Sequence, residues 1–76
     1  MNATTTRETP RLLYVLRRQD ARYGVYAVTA TDARSAVALP CRTLRGAERK
    51  LRNLARGYGM RVERVENGEL RAWMEG

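Results

Sequence analysis

Met60-Arg61-Val62-Glu63-Arg64-Val65-Glu66-Asn67-Gly68-Glu69-Leu70-Arg71-Ala72-Trp73-Met74 is two extended runs around a turn, and its register decides the fold. A two-residue Asn67-Gly68 loop would set Val65 against Leu70 and mix charged with apolar side chains on both faces. A three-residue loop, Glu66-Asn67-Gly68 with Gly68 left-handed, instead pairs Met60 with Met74, Val62 with Ala72 and Arg64 with Leu70. That register gathers the apolar residues on one face, and a buried face fixes register. Glu63 then opposes Arg71, and Arg61 opposes Trp73, on the outer face. The spacing predicts an antiparallel hairpin with Trp73 outside the core.

Before this hairpin, Leu44 to Arg56 has a helical period. Thr43 reads as its N-cap and Gly57 as the left-handed residue that stops it. Leu44, Ala47, Leu51, Leu54 and Ala55 form an apolar stripe, with Leu51 and Leu54 expected in the core. Arg45, Arg49, Arg52 and Arg56 follow at steps of four, three and four on another face. Glu48 interrupts them once, within reach of Arg45 or Arg52 across one turn.

Earlier still, Leu12 to Leu16 is apolar throughout, and Tyr23 to Thr31 is rich in Tyr, Val and Thr. The polar Gln19-Asp20-Ala21-Arg22 between them predicts a second antiparallel hairpin. Asp32 to Ala38 reads either as a short helical turn capped by Asp32 and stopped by Pro40, or as a strand through Ala36 to Leu39. The expected fold is α+β, an antiparallel four-stranded sheet with one main helix packed on one face, in the order β-β-α-β-β. Met1 to Pro10, with Thr4, Thr5 and Thr6 and no apolar period, reads as a flexible N-terminal tail. Residues 11–76 are then a single α+β domain.

The composition narrows the chemistry. Of 76 residues, 15 are basic and 8 acidic, for a net charge of +7, and all but Lys50 of the basic residues are arginine. There is no histidine and one cysteine, Cys41, so no Cys/His zinc site or disulfide framework is expected within one chain. The carboxylates, Asp20, Asp32, Glu48, Glu63 and Glu66 among them, are scattered between arginines and show no dyad spacing. Cys41 lies just before a helix, where a thiol pKa can fall, but a small, partly buried side chain is the simpler reading. Gly57-Tyr58-Gly59 follows a helix instead of opening one, so it is a stop and not a phosphate loop. No catalytic residue, metal ligand or cofactor is expected. No apolar run approaches the ~18 residues of a membrane span, and Met1 to Pro10 lacks a signal-peptide core. A soluble, cytoplasmic protein is expected.

The arginines are the organised feature. Their helix face suits phosphates, and guanidinium groups suit carboxylates as well. Arginine also serves wherever a solvated charge suffices, so the periodic placement counts for more than the number. Tyr14, Tyr23, Tyr26, Tyr58 and Trp73 are the aromatics, all with a polar handle. Trp73 beside Arg61 reads as a stacking platform, an interface anchor or a cation–π hairpin brace. No strand alternates aromatics in the manner of an RNA-recognition motif, so sequence-specific single-strand reading is not expected.

The stretch Met60-Arg61-Val62-Glu63, Glu66-Asn67-Gly68, Leu70 and Ala72-Trp73 resembles the final hairpin of small phage-encoded anti-CRISPR proteins of the type I-F inhibitor group. The preceding Leu13-Tyr14-Val15 strand, extended segment and basic helix are similar in order. The resemblance covers about a third of the chain by residues and implies a protein that binds a CRISPR surveillance complex and blocks its engagement of target DNA.

The expected function is a small, non-enzymatic, basic binding protein, an inhibitor or accessory factor of a phage or mobile element. Its partner is an acidic protein surface or nucleic-acid-handling complex, met by Arg45, Arg49, Arg52, Arg56, Arg61, Arg71 and Trp73. The alternatives are direct nucleic-acid binding through the arginine helix face and a homodimer completed along a sheet edge.

Overall fold

Alternation of side chains builds the sheet, and the computed structural model describes it over residues 9–74. In β1 (Leu12–Arg17), Leu13 and Val15 point to one face and Leu12, Tyr14 and Leu16 to the other. In β2 (Tyr23–Val28), Val25 and Ala27 share the face of Leu13, because Leu13 pairs with Ala27 and Val15 with Val25. The chain then turns at Thr29–Asp32, where Thr29 N donates to Asp32 O at 2.9 Å. It returns as β3 (Ser35–Ala36), runs through α1 (Leu44–Tyr58), and ends in the hairpin of β4 (Arg61–Arg64) and β5 (Leu70–Trp73).

Among the described residues the sheet has five strands, all antiparallel to their neighbours, in the order β3-β2-β1-β5-β4. This corrects the four-stranded expectation. Asp32 accepts from Arg34 N at 3.0 Å and from the Ser35 hydroxyl, as a cap does, yet no helical turn follows. Instead Tyr26 pairs with Ala36, and Val37 N donates to Val25 O at 3.0 Å, so β2 supplies the backbone partners. β2 itself stops at Val28, short of the expected Thr31.

The helix lies across one face. Thr43 is its N-cap, with Oγ accepting from Gly46 N at 3.0 Å. It runs past Gly57 to Tyr58, so the expected stop at Gly57 is two residues early. Gly59 takes the left-handed position at φ 70°, its N–H donating to Arg56 O while Met60 N donates to Ala55 O at 2.8 Å. Met60 and Ala55 are both buried, the apolar contact that accompanies this closure.

Ala47, Leu51 and Ala55 of α1 are fully buried against Leu13, Val25, Ala27, Leu70 and Ala72. The packing is large against small. Leu13 stands between Ala27 and Ala72, and those two methyl groups leave room for a close helix. Truncating Leu51 to alanine removes contacts worth about 2–5 kcal/mol, a large share of the stability of a small domain. Leu54 is only half-buried, and Leu44, expected on the packed stripe, is 47% exposed at the first helical position. Of the expected N-terminal tail, residues 1–8 lie outside the described region, whereas Pro10 is buried.

Candidate functional site

The seven arginine and tryptophan positions singled out above fall on two opposite sides of the molecule. Arg45, Arg49, Arg52 and Arg56 are all exposed on the side of α1 turned away from the sheet. Arg61, Arg71 and Trp73 lie on the sheet face that α1 does not cover, because β4 and β5 turn Val62, Leu70 and Ala72 toward the helix. One flat partner surface cannot touch both sets. The helix set and the sheet set are therefore two separate candidate faces.

On the helix, four guanidinium groups follow one side for about 16 Å of axis at ~1.5 Å per residue. Glu48 does not neutralise them in the expected way. Its carboxylate accepts two hydrogen bonds from Arg64 of β4, at 3.0 and 3.2 Å, and its side chain is 16% exposed. The hydrogen bonds from Arg64 hold the Glu48 carboxyl below its ordinary range; partial burial opposes this, and Arg52 and Arg45 add weaker attraction. Arg64 also donates to Gly68 O at 2.9 Å, so the pair ties the helix to the terminal hairpin. The stripe's one acid is thus turned toward the sheet.

The uncovered sheet face carries rings. The terminal hairpin has the three-residue loop and the expected pairs: Arg61 with Trp73, Val62 with Ala72, Glu63 with Arg71 and Arg64 with Leu70. Met60 and Met74 lie beyond this ladder; Met74 N donates to Arg11 O at 3.1 Å. Arg61 sits 6.0 Å from the centre of the Trp73 ring. Tyr14 and Tyr26 pair across β1 and β2, with ring centres 5.9 Å apart and planes at 27°. Arg34 stands 5.8 Å over the Tyr26 ring and donates from Nε to the Tyr14 hydroxyl at 3.3 Å. Tyr14, Tyr26 and Arg34 were not among the expected site residues. The signal was present in the parity of Leu12-Tyr14-Leu16 and Gly24-Tyr26-Val28, once the loop between them fixes the register.

Cys41 is half-buried, and its backbone pairs with Tyr23 in both directions, at 2.7 and 2.8 Å. That pairing fastens the link between β3 and α1. Among the described residues, no three of His, Cys, Asp and Glu gather as metal ligands. A cleft of about 440 Å³ between the β2–β3 loop and α1 is lined by Pro10, Ser35, Leu54 and Tyr58, with Asp32 engaged by Ser35 and Arg34. No helix among the described residues is long and apolar enough to cross a membrane. No family model, curated protein or solved structure matches the chain.

Proposed function

We propose that the protein is a non-enzymatic binder of nucleic acid that grips the phosphate backbone through Arg45, Arg49, Arg52 and Arg56. The observation that supports this most is the exposed four-arginine stripe with its acid drawn away to Arg64. Phosphates repeat along a strand and need no apolar anchor, and the middle of the stripe offers none, with Asn53 and Gly57 as its exposed neighbours. A net charge of +7 adds long-range attraction.

A second reading has the same arginines meeting carboxylates on a nucleic-acid-handling complex, the partner class that the anti-CRISPR resemblance implies. The exposed Leu44 beside Arg45 favours it, as an apolar anchor of the kind protein interfaces use.

Salt separates the two. Four phosphate contacts on labelled duplex DNA give a log–log slope of about −3 to −4, and Arg49→Ala/Arg52→Ala should shrink it by about two units. No duplex binding at low salt would refute the phosphate reading. A protein complex recovered from lysate after nuclease treatment, and lost on Leu44→Ala, would establish the second.

A further inference from the structure

Six side chains cross the uncovered face from the β3 edge to the β4 edge in the order Arg34, Tyr26, Tyr14, Arg71, Trp73, Arg61. Rings and guanidinium groups alternate in blocks along a line that spans about 19 Å of sheet, at ~4.8 Å per strand.

We propose that this face binds single-stranded nucleic acid, with unpaired bases stacked on Tyr26, Tyr14 and Trp73 and phosphates held by Arg34, Arg71 and Arg61. The inference concerns the side of the molecule opposite the helix stripe and does not rest on it.

The rings are presented as a platform. A Cβ on Gly24 would come within 2.8 Å of Tyr26 Cε1 and 3.0 Å of its hydroxyl, so the Tyr26 ring lies over the bare backbone of Gly24. It therefore leans along the sheet instead of standing up from it. The Tyr14 ring continues this surface at 27°, its hydroxyl held by Arg34. Trp73 lies diagonally from Tyr14, since Tyr14 pairs with Arg71 and Leu12 with Trp73, and such diagonal neighbours are about 7–8 Å apart. Bases in a duplex already stack on one another, whereas unpaired bases accept any flat ring, with little regard to sequence. This agrees with the lack of an alternating aromatic motif within any single strand.

Charge selects the occupant. Glu63 is engaged by Arg61 at 3.2 Å and Glu69 by Arg71 at 3.0 Å. Arg34 has no side-chain carboxylate partner among the described residues, its guanidinium resting on the two tyrosines. The Nε of Arg71 is buried and meets no acceptor among the described residues. A polyanion supplies acceptors along this line. A second copy of the chain would set arginines against arginines, with the nearby acids already engaged.

Trp73 is the chain's single tryptophan, so its fluorescence reports on this face alone. We would titrate the protein with a dye-labelled ten-nucleotide thymidine strand and with duplex DNA of equal length. The expected result is quenching of Trp73 by the single strand. Tyr14→Leu/Tyr26→Leu should weaken single-strand binding by at least about tenfold, since each stacked base is worth a factor of ~5 or more, and leave duplex binding unchanged. Arg49→Ala/Arg52→Ala should weaken duplex binding and leave the quenching in place. Failure of the wild-type protein to bind duplex, with the single-strand result intact, would sink only the helix reading. Unquenched Trp73 at saturation overturns the proposal, and so does equal loss of both ligands in the tyrosine variant. A wild-type dimer that the tyrosine variant converts to monomer also overturns it, because a second copy then covers the face. The quenching measurement needs no variant and stands even if the tyrosine variant fails to fold.

Discussion

The loop joining β1 to β2 and the loop joining β4 to β5 share one hydrogen-bond plan built from different residues. In the first, Arg18 N donates to Arg22 O at 2.6 Å and Ala21 N to Arg18 O at 3.1 Å; in the second, Val65 N donates to Glu69 O and Gly68 N to Val65 O, both at 2.8 Å. An Asx side chain closes each: Asp20 Oδ1 accepts from Arg22 N and Asn67 Oδ1 from Glu69 N, at 3.1 Å in both. The fourth residue is left-handed in each, at φ 66° for Ala21 and 89° for Gly68. The plan is therefore set by strand pairing and the Asx side chain. Glycine lowers its cost without being required for it, and the first loop bears the strain of a Cβ at positive φ.

The largest expected effect comes from giving the second loop the strain of the first, and more. Gly68→Val should cost about 2 kcal/mol, because a β-branched side chain resists positive φ. Urea unfolding measures it, and a loss below half of that would break the parallel. Asn67→Ala removes the Asx acceptor and should cost about 1 kcal/mol by the same assay. In the first loop, Ala21→Gly should stabilise by about 0.5 kcal/mol, the relieved strain being partly offset by glycine's backbone entropy. A fall in melting temperature for this variant would show that Ala21 is not strained.

The smallest effect is one of pH. The backbone N–H of Arg22 holds the Asp20 carboxyl below its ordinary value, with the Arg18 hydrogen bond adding to it and slight desolvation opposing. A pKa lowered in the folded state contributes stability that is full above the unfolded value of 3.8 and disappears as pH falls through the folded one. Asn67 does not titrate, so acid should loosen the first loop and spare the second. Melting curves of wild type and Asp20→Asn between pH 5 and pH 2 should differ in slope, wild type losing more. Parallel curves would mean that the Asp20 contact does not persist in solution.

The same pair of loops explains what was legible in the sequence. Asn67-Gly68 marks the turn and the apolar residues on either side choose its three-residue register, so the terminal hairpin and the outward Trp73 followed. Gln19-Asp20-Ala21 carries no glycine, and without that loop fixed nothing indicates that Tyr14 faces Tyr26. Thr43 and the spacing of Ala47, Leu51 and Ala55 gave the helix start and its packed side. The helix end did not follow, because Gly57 and Gly59 are equally good local stops and only the burial of Met60 chooses between them. β3 is two residues long and exists through pairing with β2, a tertiary fact with no local signature. The exit of Glu48 toward Arg64 is likewise set by how the helix docks.

The strand order has a bearing on how the protein is made. β1 lies in the middle of the sheet, flanked by β2 on one side and β5 on the other. The β1–β2 hairpin and the helix leave the ribosome before β5 does. Until then β1 offers an unpaired edge to its surroundings, and the layer under Leu51 lacks Leu70 and Ala72. At about 5–20 residues per second, that interval lasts roughly 2–9 s after Val28 is added. The half-sheet of β1 and β2 thus keeps an open seam until β5 slots in beside β1.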